Sequence, residues 1–385
     1  RMNIWMLIPD YFPIVGGAEK QCHILSKELL KHNHNINIIT RLPNKLLHSN
    51  KRNILEHEGI KITRIRIHKI FEFAILSWFF YLLKNINNYQ ILHLHTLHES
   101  FLPALILSLI FKKPLLLKLT GSGSSSDLKI IMQFVRNPLK LIILKSIKYS
   151  SSVICITKSI QKELLNIGVP NSKLTYIPNG VVIPDIKFNK HDAYVHSKES
   201  LRHKYNIPLD KFVVIRIGNY HDVKGVKYFI QAIKKLSNYN NQITALSVGD
   251  INTSKQLNIT KILNIDNLKF IPFISNIHEI YQLADLLVVP SLGEGLSNVI
   301  LESLSFGVPV IATTVGGNND VITNGYNGYL IPPRDSFSIC NSILKLYHNK
   351  ELLNKMSTNA LKSSLKYNIK LITSQYNDLY YNLLK

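Results

Sequence analysis

Cysteine is scarce in this chain: three residues in 385, at positions 22, 155 and 340, with no Cys-x-x-Cys pair and no zinc spacing among them. Such a set builds neither a disulfide framework nor a thiolate metal site, and it suits a reducing compartment. Acidic residues are also few, 24 against 46 Lys and Arg, for a formal net charge of +22. Long hydrophobic runs are missing. The longest, residues 101–111, is stopped by Lys112 and Lys113 and is too short to span a bilayer. No signal peptide is expected ahead of the first strand, residues 3–9, so the expected location is cytoplasmic. No Gly-x-Gly-x-x-Gly follows that strand, which disfavours a nicotinamide dehydrogenase. There is no aromatic–basic RNA motif and no DNA-binding module, so nucleic acid is not an expected partner.

What is present is an α/β pattern. With 46% apolar residues, the chain can bury a large core, and its length predicts two domains. Strands are predicted at residues 3–9, 35–40, 91–95, 114–119 and 152–157, with helices at 18–31, 101–111 and 158–167 between them. A second unit runs through strands 212–218, 243–248, 268–271 and 286–290. The linker is expected near residues 178–189, where Pro, Asn and Gly cluster. Charge is uneven. Residues 1–190 hold 26 Lys and Arg against 10 Asp and Glu, a net +16, and the remainder holds 20 against 14, a net +6. A basic amino-terminal half suits an anionic membrane surface. A Lys-, Asn- and Ile-rich composition spread over solvated faces gives the same excess.

The most informative segment is EGLSNVILE, Glu294 to Glu302. A buried strand precedes it, Ser297 is placed as the N-cap of a helix running to about Phe306, and Gly307 supplies a left-handed stop. The loop therefore sits at a strand's C-terminal end, where open α/β sheets bind ligands. The backbone N–H groups of Leu296, Ser297, Asn298 and Val299 lie at a helix N-terminus and suit an anion or a sugar hydroxyl. Glu302, about a turn into the helix, can accept two hydrogen bonds from a vicinal diol such as a ribose, each about 1.5–3 kcal/mol. Glu294, on the loop beside Gly295, is free to face a reacting sugar. The competing reading leaves both glutamates merely solvated.

Glu294 and Glu302 match the E-x7-E element of the retaining GT-B glycosyltransferases of family 4. Further segments stand in that family's order: PIVGGAE (13–19), VICIT (153–157) with PNG (178–180), Gly218 to Gly225, GGNND (316–320) and NGYNGYLIP (324–332). The chain resembles this family over nearly its whole length. The resemblance implies two facing Rossmann-like doubly wound domains around a cleft, an acceptor domain at 1–185 and a nucleotide-sugar domain at 186–368. It also implies a final helix, about 369–385, returning to the first domain.

The resemblance assigns Lys224 to the donor diphosphate, where a lysine acts as a point charge on the leaving nucleotide. It places Gly16 and Gly17 in a loop that closes over the donor phosphates, and paired glycines allow close approach and positive φ. Two positions depart from the family pattern. Asn219 stands where an arginine usually follows Gly218, and the reach of Arg216, on the strand, is open. Thr120 stands before Gly121 where many members have histidine, and residues 120–126 also read as a plain flexible loop. His95 matches a position often histidine in the family and is a candidate acceptor-side contact. His93, His95 and His98 have no acidic or thiolate partner spaced to complete a metal site, so structural roles are expected. No Asp-x-Asp element appears, which fits a metal-independent reaction.

Residues 128–147 and 71–83 are rich in Leu, Ile and Phe with interspersed lysines. Buried core and an apolar, basic membrane surface both account for them, and Pro138 argues against one uninterrupted helix across 128–147. The expected function is transfer of a hexose or N-acetylhexosamine from a nucleoside diphosphate sugar, a UDP-sugar first, to a hydroxyl on a glycan or lipid-linked acceptor. No cofactor is expected. The family's attack is thought to be front-face, with the leaving phosphate helping to deprotonate the acceptor. The alternatives are a non-catalytic nucleotide- or glycan-binding partner of an active transferase, which Asn219 and Thr120 favour, and a sugar-nucleotide epimerase of the same fold.

Overall fold

The computed structural model describes all residues except 15, 43–54, 122–125, 130–136, 185–190, 238–241, 250–264 and 275. The chain divides into two compact units, Arg1–Gly180 with Ile369–Lys385, and Val181–Asn368. Local bonding explains the division. Gly180 exchanges two hydrogen bonds with the Gln21 side chain, at 2.9 and 3.0 Å, whereas the Val181 N–H donates to Tyr367 O at 2.8 Å. Part of the expected linker, residues 185–189, lies outside the described residues.

The first unit is built on an eight-stranded sheet in the order β3-β4-β2-β1-β5-β6-β7-β8. The strands are β1 (Asn3–Ile8), β2 (Asn35–Arg41), β3 (Glu56–His57), β4 (Ile60–Ile65), β5 (Ile91–His95), β6 (Leu115–Leu119), β7 (Ser152–Cys155) and β8 (Leu174–Tyr176). All pair in parallel except β3 with β4. Side chains alternate across the sheet with period two. Ile4, Met6 and Ile8 face helices Gly17–Lys31 and Ile369–Leu384, while Trp5, pointing the other way, meets Tyr81 of helix Phe71–Lys84. The last helix is anchored by Ile372, Tyr376 and Tyr380, all buried in this core.

The apolar stretch at 71–83 and the described part of 128–147, of which residues 130–136 lie outside the described residues, are not simply core. Helix Phe71–Lys84 buries Ala74, Trp78 and Leu82 but leaves Phe73, Leu76 and Phe80 outside. Leu141 and Ile142 are likewise exposed on helix Asn137–Ser146, which begins beside Pro138, where a missing N–H costs no intrahelical bond. Among the described residues no helix is long and apolar enough to cross a membrane.

The second unit has an all-parallel six-stranded sheet, β11-β10-β9-β12-β13-β14. Its strands are β9 (Phe212–Ile217), β10 (Ile243–Val248), β11 (Leu268–Ile271), β12 (Leu286–Val289), β13 (Val310–Thr313) and β14 (Gly328–Ile331). Helix Val226–Ser237 shows why the core forms. Val226, Phe229, Ile230, Ile233 and Leu236 recur at helical spacing, and all are buried against Val214, Ala245 and Val288. Helix Asn298–Ser305 ends as its sequence predicts. Gly307 takes φ +70°, and the Val308 N–H closes back onto Ser303 O at 2.9 Å.

Candidate active site

β9 and β12 are neighbours at the point where the strand order reverses: β10 and β11 continue to one side, β13 and β14 to the other. Loops leaving two such strands diverge and open a crevice at their C-terminal ends. Here they are loops 218–225 and 290–297. Gly225 has φ +62°, and a Cβ there would lie 1.8 Å from the Pro290 carbonyl oxygen. Only glycine lets the two loops touch in this way. Leu292 N–H then donates to Val223 O at 2.7 Å. A third loop supports the second. Gly316, at φ +51°, has room for no side chain against Glu294 O, and Gly317 N–H reaches Gly295 O at 2.7 Å.

Within this frame Lys224 Nζ lies 2.8 Å from Glu294 Oε1. The same oxygen accepts from Ser291 Oγ at 2.7 Å, and Ser291 O is held by the Thr313 hydroxyl at 2.6 Å. The Glu294 side chain is 10% exposed and that of Lys224 35%. The carboxylate is therefore fixed from two sides while the ammonium keeps a face toward solvent.

Arg216 is the residue whose reach the sequence left open. It is fully buried, donates to the carbonyl oxygens of Gly218 and Asn219, and lies 5.0 Å from the Tyr220 ring. Burial pushes its pKa down to about 10, opposed by Tyr220 and Glu294, so it stays charged at neutral pH. Arg216, Gly218, Lys224, Glu294, Ser297 and Val299 line one pocket. Asn219 itself is exposed.

Ser297 occupies the expected N-cap position; its hydroxyl makes no cap bond, and the residue lines the pocket. Gly295 holds Gly317, Leu296 is buried, and Asn298 opens the helix. Glu302 lies a turn further on and outside the pocket lining. It is 8% exposed, and its Oε2 accepts from the Tyr281 hydroxyl at 2.9 Å. Tyr281 stacks on Phe306 at 5.5 Å, which fixes the hydroxyl and hence the carboxylate. No local signal in the sequence marks Tyr281, since it comes from helix His278–Leu283.

The remaining expected site residues belong to the first unit. Gly16 and Gly17 do not use positive φ: Gly16 has φ −128° and is the N-cap of helix Gly17–Lys31. The Glu19 carboxylate folds back to the N–H of Gly16, half of a capping box, and a Cβ on Gly16 would come 2.5 Å from Glu19 Oε2. Room for that carboxylate is what the glycine provides. His95 is 1% exposed, stacks on His93 at 4.3 Å, and is held neutral, well below the ordinary histidine range, by burial and then by His93 and Lys118. His93 Nδ1 is 2.7 Å from the Tyr380 hydroxyl. Thr120 and Gly121 follow β6, and both their N–H groups donate to the Asp127 carboxylate. Asp127 was not anticipated. Burial pushes its pKa up to about 6 against those hydrogen bonds. Residues 122–125 of this loop lie outside the described residues.

Residues 15–183 match the family model described as Glycosyltransferase Family 4, and residues 197–363 match that of Glycosyl transferases group 1. The chain belongs to this glycosyltransferase family. Its two parallel-sheet α/β units are those of the GT-B fold. This glycosyltransferase is 27% identical to the N-acetyl-alpha-D-glucosaminyl L-malate synthase of Bacillus anthracis, over 97% of its own length and 96% of the relative's. It is 26% identical to a Campylobacter jejuni N,N'-diacetylbacillosaminyl-diphospho-undecaprenol alpha-1,3-N-acetylgalactosaminyltransferase, over 81% and 83% of the two chains. Among solved structures, the Anabaena protein HepE in complex with UDP-glucose superposes with a TM-score of 0.77 at 20% identity, covering 99% of this transferase and all of that chain.

Proposed function

We propose that this transferase moves a hexose or N-acetylhexosamine, with retention and without a metal, from a UDP-sugar to a hydroxyl of a glycan or lipid-linked acceptor. The observation that carries this reading is the pocket at the sheet's switch point, where Lys224 and Glu294 from separate loops form an ion pair beside a helix N-terminus. In this assignment Lys224 meets the donor diphosphate as it leaves, and the first amides of helix Asn298–Ser305 with Ser297 and Asn298 hold phosphate or sugar oxygens. Glu302, oriented by Tyr281, takes the ribose diol. Glu294 contacts hydroxyls of the transferred sugar and is not assigned as a nucleophile. Catalysis then rests on positioning and on charge set against the leaving diphosphate, which itself accepts the acceptor's proton. Gly16, Gly17, His95, Thr120 and Gly121 are assigned to the acceptor side and the loop near the donor phosphates.

The decisive experiment is calorimetric titration and turnover with UDP-glucose, UDP-N-acetylglucosamine and GDP-mannose, comparing wild type with Glu302→Ala and Lys224→Ala. Donor binding with release of free nucleoside diphosphate, lost in both variants, supports the assignment. Binding without any turnover moves the protein to the non-catalytic reading, which the exposed Asn219 favours.

The acceptor side is proposed to work on an anionic bilayer. Supporting this, Phe73, Leu76 and Phe80 share one exposed face of their helix, Ile106, Leu109 and Ile110 another, and residues 1–190 carry the +16 excess. Co-sedimentation with phosphatidylglycerol vesicles is expected for wild type and not for Phe73→Ser/Phe80→Ser. Equal sedimentation of the two would remove this part of the reading.

A further inference from the structure

We propose that His23, His57 and Glu58 form a zinc-binding site on the first unit, separate from every residue assigned to donor chemistry. The three side chains come from two elements. His23 lies on helix Gly17–Lys31. His57 and Glu58 belong to the β3–β4 hairpin, where Glu56 and His57 pair with Lys61 and Ile60, and Glu58–Gly59 make the turn. Both turn residues have positive φ, +49° and +79°, as a two-residue hairpin of type I′ requires. That turn directs the Glu58 carboxylate at the helix.

The distances suit a small tetrahedral ion. His23 Nε2 is 3.3 Å from Glu58 Oε2, and His57 Nε2 is 4.0 Å from Glu58 Oε1. One ligating atom from each residue lies within 4.8 Å of the other two. Zinc bonds of about 2.0–2.2 Å at tetrahedral angles set neighbouring ligand atoms about 3.3–3.5 Å apart. The His23–Glu58 edge already has that span, and the hairpin side chains close the rest by rotation. Two imidazoles and one carboxylate are an ordinary zinc donor set, leaving a fourth position for water.

The surroundings are organised as well. The other His23 nitrogen, Nδ1, is 2.6 Å from the buried Tyr11 hydroxyl, the outer hydrogen bond that ligating histidines generally have. The His57 ring stacks on Phe12 at 3.7 Å and 8°. One competitor is present: the Lys27 ammonium pairs with Glu58 Oε2, but its side chain is 45% exposed and can swing out. All three cysteines are buried and offer no rival site. A bound zinc would tie the Tyr11–Phe12 segment and the first helix to the hairpin. It would act as a clamp, with no part in sugar transfer.

The test is zinc titration of the intact chain by calorimetry, paired with thermal unfolding and with cobalt as a spectroscopic probe. The expected result is one zinc per chain, a raised Tm, and the visible bands of a tetrahedral cobalt site. His57→Gln and Glu58→Gln should abolish these. Tyr11→Phe, which removes no ligand, should weaken binding by roughly tenfold or more. Lys27→Met should tighten it by removing the competing ammonium. Chelator treatment should lower Tm while leaving donor turnover unchanged, which separates this site from the proposed transfer reaction. No zinc binding by wild type, binding undiminished in His57→Gln, or weaker binding in Lys27→Met would each overturn the proposal.

Discussion

Lys224 and Glu294 are 70 residues apart in sequence and 2.8 Å apart in space. Each sits on a loop braced by the other, through the Gly225–Pro290 contact and the Leu292–Val223 hydrogen bond. The carboxylate also takes Ser291 Oγ, so its position survives if the ammonium is drawn toward an anion. A pair of this kind offers a positive charge to a diphosphate without first having to assemble it.

Replacing Lys224 with Ala is expected to lower donor turnover by roughly 10²–10³-fold, the range seen when one stabilising donor at a developing negative charge is lost. Lys224→Arg should retain part of the activity, because the charge persists though the point-like geometry does not. Steady-state release of nucleoside diphosphate measures both, and an unimpaired Lys224→Ala would remove the lysine from the donor site.

Tyr281→Phe tests whether Glu302 works through an orienting partner. The variant keeps the ring that stacks on Phe306 and removes only the hydroxyl bonded to Oε2. Loss of a hydrogen bond to a buried carboxylate costs about 1.5–3 kcal/mol, so donor Kd should rise by tenfold or more with little change in kcat. Calorimetric titration reads the first and turnover at saturating donor the second. A purely structural tyrosine would lower Tm and leave Kd alone.

Gly225→Ala should be among the more damaging single-atom additions in the chain. It meets two penalties: a left-handed backbone, at about 1–2 kcal/mol, and a Cβ driven into Pro290 O, at about 1–3 kcal/mol. Urea unfolding should show a loss on the order of 3 kcal/mol. Gly59→Ala has φ +79° but nothing near its Cβ, so it carries only the first penalty.

Asp127 predicts a pH dependence. Its folded-state pKa, about 6, lies above the ordinary 3.8. Between these values the folded chain binds more protons than the unfolded chain, so the contribution of Asp127 to stability falls as pH rises from about 4 to about 6. It is level outside that window. Asp127→Asn keeps a carbonyl oxygen for the Thr120 and Gly121 N–H groups and cannot titrate. The difference in unfolding free energy between wild type and variant should therefore change across pH 4–6, and a flat difference would contradict the assignment.

The legible part of this structure is the part written in local signals. The strand–loop–helix unit from β12 to Gly307 follows from an apolar run, a cap-position serine and a glycine with positive φ, all within about 20 residues. Neighbouring loops became readable only through the family motifs, because which strands adjoin is a property of topology. Arg216 and Tyr281 were not legible as partners of Asn219 and Glu302: one points under its own loop, and the other arrives from a different helix. In the β3–β4 hairpin the two-residue β3 carries no period, whereas β4 (IKITRI) does alternate and was passed over. At Gly16 the expected positive φ is absent: the backbone is extended, and a Cβ there would crowd the Glu19 carboxylate, the movable end of a side chain.

The buried guanidinium of Arg216 has a consequence for loop 218–225. A trans peptide sets its N–H opposite its C=O. Drawing the carbonyls of Gly218 and Asn219 onto Arg216 therefore turns the N–H groups of Asn219 and Tyr220 away from it. Two peptide dipoles are aligned with their positive ends outward, polarised by a buried cation. The loop thus conveys positive potential through its main chain, so the side chain at position 219 is free to vary while the electrostatic character of the turn is inherited from a residue beneath it.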